Sequence, residues 1–591
     1  MANTLPQIRP LPGSVVEGPV LKRPRLDTDV IPTRVEVEAP AKEDTPRDGD
    51  EVMQEVVEEA KLNSAGGKKG TKSKKTKKKK DPPLPDPCSA ADVLYREIRE
   101  LLGEETVDRV TDSGNAFKAP YTVGEEVVVK IERIGSGGSG IAVAPEEKGP
   151  WAIVVPCALP REMVRVRIGR YERMHSCASV VEVVSPNTEL RDDSRVRCKY
   201  FGTCGGCQYQ MLSGETQLEL KRDAIVRAYK TYSGAPLPFT ICTLVLTCNA
   251  GGLPESAVPT VESTIESPLV YAYRTKITPH FERPPKYAKK QDVAGGSQPP
   301  WLKIGFNVAN SNSTMDIEEC PIATSVLNEK YKSDRTEIIQ NIFSYKKGVS
   351  LMYRDSLDPT FDAKKMMLPP VDKLSEAFTK HACVTDQKGV SRELVGDKLF
   401  QYTAGGFFQN NNAVLPLLVD HVRGLIDSEE GRDHPTHLVD TYCGAGLFAI
   451  SLSDKFTKVA GIELSQSSIA SAKENATLNG IPEEKISFLS GEAQNIFATV
   501  RDFPPERTVV VIDPPRKGCD ELFLKQLLDF RCNTVVYVSC NVHSQARDIG
   551  EIVRRTEGDG EGRRYRMESL RGFDLFPQTA HVESVALLRL Y

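Results

Sequence analysis

The chain has 591 residues, 39% of them hydrophobic, a mean hydropathy of -0.34 and a formal net charge of -4. It contains no run of about 18 apolar residues, which argues against a membrane span, and its N-terminus lacks the apolar core of a secretory signal. We therefore expect a protein of the nucleus or cytoplasm, with a mitochondrial pool left open, and thiols rather than disulfides among its 14 cysteines.

Residues 1–115 form the first predicted unit, a disordered charged tail with a short helix over Ala90–Leu102. Nine of the thirteen residues from Lys68 to Lys80 are lysine, whereas Glu36–Glu59 is mostly acidic. A lysine run is most often only solvated, but it also suits an RNA tether or a nuclear localisation signal.

Residues 118–186 contain short alternating apolar runs such as EEVVVKIERI and MVRVRIGRY, separated by turns. Closely spaced strands of this kind predict a small OB-like antiparallel barrel. The glycine-rich turn at 135–140 and the nearby basic residues are typical of a barrel that binds RNA.

Residues 187–395 are predicted to form a small mixed α+β middle domain. Residues 396–591 alternate helices with apolar strands, including HLVDTYC, TVVVIDPP and TVVYVSC. This alternation predicts an α/β domain with a doubly wound, mostly parallel, Rossmann-like sheet.

The segment LVDTYCGAGLF (438–448) is a buried strand followed by a glycine turn, where backbone can approach a ligand closely. Glu463 follows 23 residues after Asp440, at the end of the next strand, where a carboxylate accepts hydrogen bonds from ribose hydroxyls. The turn is not G-x-G-x-x-G, which favours S-adenosylmethionine, with a dinucleotide as the alternative.

Two further strand ends carry reactive groups. Asp513 lies in a stiff DPPR turn, and Cys540 ends the next strand. An isolated cysteine after an apolar strand is usually a small core residue. At this edge, however, a thiolate suits attack on C6 of a uracil, which makes C5 nucleophilic toward a methyl group. Glu583, which begins the last strand, is the candidate base for the C5 proton.

In this order, FFQNN (407–411), DTYCGAG, GIELS, DPPRKG, VSCN and HVES resemble the RNA 5-methyluridine methyltransferases, and within them the fungal tRNA (uracil-5-)-methyltransferases. The resemblance covers residues 118–591. It implies that the barrel is an RNA-binding TRAM domain, that Cys540 is the nucleophile and Glu583 the base, and that tRNA is the partner, with no obligate protein partner. It also implies cofactor contacts from Gln409, Tyr442, Glu463 and Asp513.

Cys198, Cys204 and Cys207 form a compact thiol group that Cys320 can complete. Four thiolates suit zinc or an iron–sulfur cluster, and the sequence does not separate these or exclude a site without metal. Bacterial relatives of similar spacing hold a 4Fe-4S cluster, which favours iron. The target RNA is also open, because ribosomal RNA methylation uses the same motifs. A non-catalytic tRNA-binding or folding factor is the remaining alternative.

Overall fold

The computed structural model describes residues 82–234, 253, 257–358, 380–427, 434–491, 497–557 and 562–591. The helices in this part of the chain are α1 (Ala90–Leu102), α2 (Glu104–Asp112), α3 (Gly214–Tyr232), α4 (Ser325–Asn341), α5 (Leu415–Asp427), α6 (Leu447–Ser451), α7 (Gln466–Leu478), α8 (Glu521–Phe530) and α9 (Val542–Glu557). None of them is long and apolar enough to cross a membrane.

The strands fall into two regions along the chain. The first eleven are β1 (Glu126–Ile134), β2 (Ser139–Val143), β3 (Ala152–Pro156), β4 (Met163–Glu172), β5 (His175–Ser185), β6 (Glu262–Ile265), β7 (Lys276–Ile277), β8 (His280–Phe281), β9 (Ile304–Gly305), β10 (Val349–Ser350) and β11 (Tyr353–Leu357). The others are β12 (His381–Val384), β13 (Val390–Val395), β14 (Lys398–Thr403), β15 (His437–Thr441), β16 (Lys458–Glu463), β17 (Ile486–Ser490), β18 (Thr508–Ile512), β19 (Thr534–Ser539), β20 (Tyr565–Phe573) and β21 (Glu583–Leu590).

The first five strands close into a barrel in the order β1-β2-β3-β5-β4. Along β4, buried and exposed residues alternate over the first half of the strand, as the sequence pattern predicts for a half-buried strand. The inward side chains form their own core, which includes Ile131, Trp151 and Val166.

Helices α1 and α2 lie within residues 1–115; the sequence predicts α1, whereas it assigns the residues of α2 to the disordered tail. Helix α1 has the bounds the sequence predicts, begins at the capping residue Ser89, and buries Val93 and Ile98. Helix α2 is missed because the charged composition of the whole tail outweighs this short amphipathic stretch. Residues 1–81, with the lysine run, lie outside the described residues.

The largest sheet has eight strands in the order β17-β16-β15-β18-β19-β21-β20-β6. Strands β15 to β19 are mutually parallel, and β21 is antiparallel to both β19 and β20. Apolar clusters cover both faces of this sheet, as expected for a doubly wound fold.

The predicted boundaries of the middle domain do not match the packing. Strand β6 pairs with β20 at the edge of the large sheet, and α3 packs against α9. A Cβ atom on Gly550 in α9 would lie 1.8 Å from the carbonyl oxygen of Ser233, just after α3. The boundary at 395/396 also divides the β13–β14 hairpin. Hydrophobic period shows where elements are, but not which sheet they join.

Candidate active site

The cofactor edge of the sheet is formed by the turn that follows β15. Tyr442, Gly444 and Gly446 have φ angles of 61°, 52° and 92°, a left-handed conformation that glycine adopts without cost. The backbone N–H of Gly444 donates to Oε2 of Glu463 at 3.1 Å, and the N–H of Ser465 donates to Oε1 at 2.8 Å. The acidic end of β16 is therefore fixed beside the glycine turn, where the sequence places it.

Asp440 is a fully buried carboxyl group beside this turn that the sequence pattern did not assign to the site. Its Oδ2 accepts from the N–H of Ala449 at 2.8 Å, whereas its Oδ1 has no hydrogen-bond partner among the described residues. Burial raises its pKa to about 8. A carboxyl group with this pKa is mostly protonated at neutral pH, so Oδ1 is a buried polar atom that lacks a hydrogen-bond partner in the part of the chain that the structure describes, whether it donates or accepts.

Gln409 and Tyr442, two other predicted cofactor contacts, lie in different segments: Gln409 before α5 and Tyr442 in the turn after β15. Gln409 is half-buried and sits in the FFQNN segment, beside Phe407, whose side chain is 66% exposed. The ring of Tyr442 lies 5.3 Å from the ring of Phe523, and burial raises its pKa above the ordinary range. An exposed phenylalanine in such a position offers a flat apolar face to a base, a feature the sequence alone did not reveal.

Arg354 holds the FFQNN segment in place through hydrogen bonds. Its guanidinium is fully buried and donates to Oδ1 of Asn410 at 2.7 Å and to the carbonyl of Phe408 at 3.3 Å. Glu393, also buried, pairs with Arg354 at 3.2 Å and accepts from Asn412 at 3.1 Å. These contacts orient the backbone on both sides of Gln409.

Cys540 and Glu583 are brought together by the antiparallel pairing of β19 with β21. Ser539, the last residue of β19, is opposite Ser584, so the residue after one strand lies beside the start of the other. Glu583 is 1% exposed, and its Oε1 has no hydrogen-bond partner within the described part of the chain. The edge therefore presents a thiol and an unpartnered carboxyl oxygen side by side.

The pKa values at this edge show how closely these groups interact. Burial raises the pKa of the Cys540 thiol to about 12, with Glu583 and Asp513 adding to the rise and the Arg516 guanidinium opposing it. Burial also raises the pKa of Glu583, again opposed by Arg516, and it raises that of Asp513, where the charge of Glu583 adds to the rise. In the absence of ligands, the site therefore favours protonated forms.

His581 is close to the carboxylate but does not form an ion pair with it. Its Nε2 lies 3.8 Å from Oε2 of Glu583, beyond hydrogen-bond distance. Burial lowers the pKa of His581 to about 3, so the ring is neutral at physiological pH.

The four predicted thiol ligands lie near one another. Burial raises the pKa of each, and a further rise comes from other thiols of the group: Cys320 and Cys198 act on Cys204, while Cys198 acts on Cys320. Nevertheless, no group of three or more His, Cys, Asp or Glu side chains within the described ranges is arranged to hold a single metal ion.

Comparison with known proteins identifies the family. The family model described as tRNA (Uracil-5-)-methyltransferase matches residues 341–590. A tRNA (uracil(54)-C(5))-methyltransferase of Schizosaccharomyces pombe is 37% identical over 91% of this chain and 90% of its own length. The chain belongs to the tRNA (uracil-5-)-methyltransferase family. A member from Saccharomyces cerevisiae, with the same description, is 34% identical over 91% of this chain and 87% of its own length.

A solved structure confirms the fold of this family member. The tRNA (uracil-54, C5)-methyltransferase of Pyrococcus abyssi, solved in complex with S-adenosyl-L-homocysteine, aligns with a TM-score of 0.51 at 23% identity. The alignment covers 78% of this chain and 99% of that protein. The predicted fold of an S-adenosylmethionine-dependent methyltransferase is therefore confirmed.

Proposed function

We propose that the protein transfers a methyl group from S-adenosylmethionine to C5 of a uridine in tRNA, at position 54 of the T loop. The observation that supports this most directly is that Cys540 and Glu583 lie beside each other at the sheet edge that carries the cofactor turn. Oε1 of Glu583 has no hydrogen-bond partner there among the residues that the structure describes. The names of the two fungal relatives supply the target position.

The cofactor would occupy the turn after β15, for which the donor set is suitable. Glu463 would accept hydrogen bonds from the ribose hydroxyls, while Gln409, Tyr442 and Asp513 would line the remaining wall. The unpartnered Oδ1 of Asp440 is a further polar atom beside this turn. S-adenosylmethionine, when bound, supplies an electrophilic methyl group on a sulfonium.

Cys540 would act as the nucleophile. Its thiolate forms a bond to C6 of the uracil, and the electron pair of the C5–C6 double bond moves into an enolate. C5 then forms a bond to the methyl carbon as the bond between that carbon and sulfur breaks, which would release S-adenosylhomocysteine and leave a covalent protein–RNA adduct with one proton still on C5. The positive charge of Arg516, which lowers the pKa of the thiol, favours the thiolate.

Glu583 would complete the reaction as the base. Its carboxylate removes the C5 proton, the C5–C6 double bond forms again, and the bond from C6 to sulfur breaks with the electron pair returning to Cys540. The raised pKa of Glu583 makes it a stronger base than an ordinary carboxylate.

The two roles predict different failures. Cys540→Ala should abolish methyl transfer from labelled cofactor to unmodified tRNA, and no covalent adduct should form. Glu583→Gln should also lose turnover, but it should accumulate a protein–RNA adduct that survives denaturing electrophoresis, because the bond to C6 forms and is not released. Cys383→Ala, which changes a half-buried thiol far from these strands in the chain, is the matched control and should keep activity. Methylation that survives Cys540→Ala would contradict the mechanism.

tRNA as the target is a proposal that rests on the relatives, with the closed barrel (118–186) proposed as a TRAM domain that binds RNA. Ribosomal RNA is the alternative target, and a tRNA-folding factor without catalysis is the other. Mapping 5-methyluridine in total RNA after deletion of the gene separates these: loss of the modification at position 54 supports tRNA, and unchanged tRNA with loss in ribosomal RNA contradicts it. We propose a protein of the nucleus or cytoplasm, with a mitochondrial pool left open; Lys22–Arg25 favours the nucleus, and Lys68–Lys80 suits either an RNA tether or a nuclear localisation signal.

We also propose that Cys198, Cys204, Cys207 and Cys320 would hold a 4Fe-4S cluster. What supports this is the close spacing of Cys198, Cys204 and Cys207 in the sequence, together with the electrostatic effect of Cys198, Cys204 and Cys320 on the pKa of Cys207. Protein purified without oxygen should contain about four iron atoms per chain and absorb visible light, and Cys207→Ser should lose both. Stoichiometric zinc, or no metal, would contradict the proposal.

A further inference from the structure

Helix α1 packs on two structural units at once. Its own Val93, and Cys88 just before it, belong to the apolar cluster of the large sheet, whereas Tyr95 and Ile98 pack with residues of the barrel. The helix therefore joins the barrel to the sheet that carries Cys540.

The contact with the catalytic edge is made by the side chain of Asn541, the residue after the proposed nucleophile. Its Nδ2 donates to the carbonyl of Arg516 at 2.9 Å and to the carbonyl of Cys88 at 3.1 Å. Both partners are carbonyl oxygens, which only accept, so the orientation of this amide is determined by chemistry. One amide thus connects the cysteine loop, the DPPR turn and the segment before α1.

The carbonyl of Cys88 is itself held in place. Cys88 is 3% exposed and has a φ of 63°, a conformation that a residue other than glycine rarely adopts. Its N–H donates to Oδ2 of Asp92 at 2.9 Å, and the hydroxyl of Tyr232 donates to the same oxygen at 2.9 Å. Asp92 is buried, so this turn depends on a carboxylate that does not touch the catalytic residues.

The other end of α1 contacts the glycine-rich turn of the barrel. Oε1 of Glu97 accepts from the N–H and the hydroxyl of Ser136, at 2.8 and 2.7 Å. A Cβ atom on Gly135 would lie 2.7 Å from Oε2 of Glu97, so a larger residue there would displace this carboxylate. Continuous polar contacts therefore run from the barrel turn through α1 to Asn541.

We infer that Asn541 is a positioning residue that aligns Cys540 with Arg516, and that residues 82–102 are a structural part of the active site because they supply the second carbonyl that fixes this amide. The positive charge of Arg516 lowers the pKa of the Cys540 thiol. The backbone carbonyl of Arg516 accepts hydrogen bonds from Asn541 and, at 3.0 Å, from the hydroxyl of Ser544. Without the hydrogen bonds of this amide, the turn and the cysteine loop could separate.

The inference rests on the proposed function only where kcat and KM are measured; the alkylation measurement is independent of it. The first measurement uses the full-length protein without RNA or cofactor: the rate at which iodoacetamide alkylates Cys540, followed by mass spectrometry of the Cys540 peptide between about pH 7 and about pH 10. Asn541→Asp keeps the shape of the side chain but removes both donated hydrogen bonds. Asn541→Leu removes them without adding a negative charge beside the thiol, and it must give the same change. We expect the alkylation profile to move to higher pH and kcat to fall by about 10-fold or more, with KM for tRNA within a factor of about 2.

Asn533→Asp is the matched control. Asn533 lies just before β19, as Asn541 lies just after it, and its Nδ2 also donates to a backbone carbonyl, that of Glu506, at 2.6 Å. The control should keep the wild-type alkylation profile and kcat. If Asn541→Asp also keeps them, Asn541 has no positioning role.

A second variant tests the part played by residues 82–102. Asp92→Ala frees the Cys88 turn and should move the alkylation profile and kcat in the same direction as Asn541→Asp. The double variant should be no worse than the more severe single variant, because Asp92→Ala acts through the Cys88 carbonyl, whose hydrogen bond Asn541→Asp already removes. Asp108→Ala, in α2, removes an exposed carboxylate and should have no effect.

Tyr232→Phe removes only the hydroxyl that donates to Asp92 and serves in place of Asp92→Ala if that variant does not fold. An unchanged profile in these variants, or effects that multiply with Asn541→Asp, would overturn the role of residues 82–102. A wild-type protein that transfers no methyl group to tRNA would instead defeat the proposed function, and the alkylation comparison would still decide the present inference.

Discussion

Cys540 and Glu583 both hold their protons more tightly than ordinary cysteine and glutamate side chains. For Cys540 the main cause is burial, followed by the charge of Glu583, and only Arg516 acts strongly in the opposite direction. Both proposed roles require the deprotonated form. Catalysis is therefore expected to be limited at neutral pH by the fraction of molecules in which these protons have left.

The raised pKa of Glu583 predicts a pH profile. A carboxyl group with a raised pKa loses its basic form as the pH falls, so kcat should rise from about pH 6 to about pH 9 rather than level off above the ordinary carboxylate range. In Glu583→Gln the adduct should accumulate without release at any of these pH values, and its rate of formation should still follow deprotonation of the thiol. Single-turnover measurements across the range test this. A wild-type rate that is constant over these pH values would contradict the raised pKa.

The sequence predicts candidate site residues that lie at strand ends, and it misses residues whose role depends on a contact with a distant segment. Cys540, Glu583, Asp513 and Glu463 follow from the rule that functional groups lie at strand ends. The role of Asn541 depends on two carbonyl groups, one 25 and one 453 residues away in the chain. No spacing pattern could have indicated that contact.

At the level of single elements, the β13–β14 hairpin and β11 support the cofactor edge through Arg354. The guanidinium is buried with Glu393 and with the hydroxyl of Tyr402, which donates a hydrogen bond to Glu393 and lies 2.9 Å from Nε of Arg354. A sequence pattern predicts strands here but cannot predict that one arginine fixes the segment beside them, since arginine is usually exposed.

Arg354→Met tests this support. Removing one partner of a buried ion pair leaves an uncompensated charge on Glu393, so the free energy of unfolding should fall by about 3–5 kcal/mol, and KM for S-adenosylmethionine should rise as Gln409 loses its fixed position. Urea unfolding and methyl-transfer kinetics measure the two effects.

Arg423→Met is the control, because its pair with Asp454 is partly exposed and should contribute about 1 kcal/mol or less. If Arg354→Met changed stability no more than this control, the proposed support would be wrong.

The whole molecule combines a barrel, a large sheet and a region between them whose parts belong to different cores. The sequence predicts the barrel and the doubly wound sheet because hydrophobic period is a local signal. It fails at the borders, since the pairing of β6 with β20 and the packing of α1 on two cores are decided by contacts between distant segments.

The lysine run at 68–80 carries a prediction for RNA binding by the whole protein. Replacing its nine lysines with glutamine should weaken tRNA binding and make the dependence of affinity on salt less steep, by about one unit of slope for each phosphate that is no longer neutralised, while kcat at saturating tRNA stays the same. A variant with the residues of this run in reversed order keeps the charge and should bind as the wild type does. Unchanged affinity and slope in the glutamine variant would show that the run is only solvated.

The hydrogen bond between Asn541 and Cys88 joins residues that are 453 positions apart. During synthesis, α1 leaves the ribosome long before its partner, by about 20 to 90 seconds at ordinary rates of elongation. Over this interval Val93 and Cys88 lack the apolar cluster in which they are later buried. Contacts of such long range form late in folding, so the N-terminal helix and the cysteine loop should acquire their final arrangement only once α9 has been made. The catalytic edge is thus among the last parts of the protein to become complete.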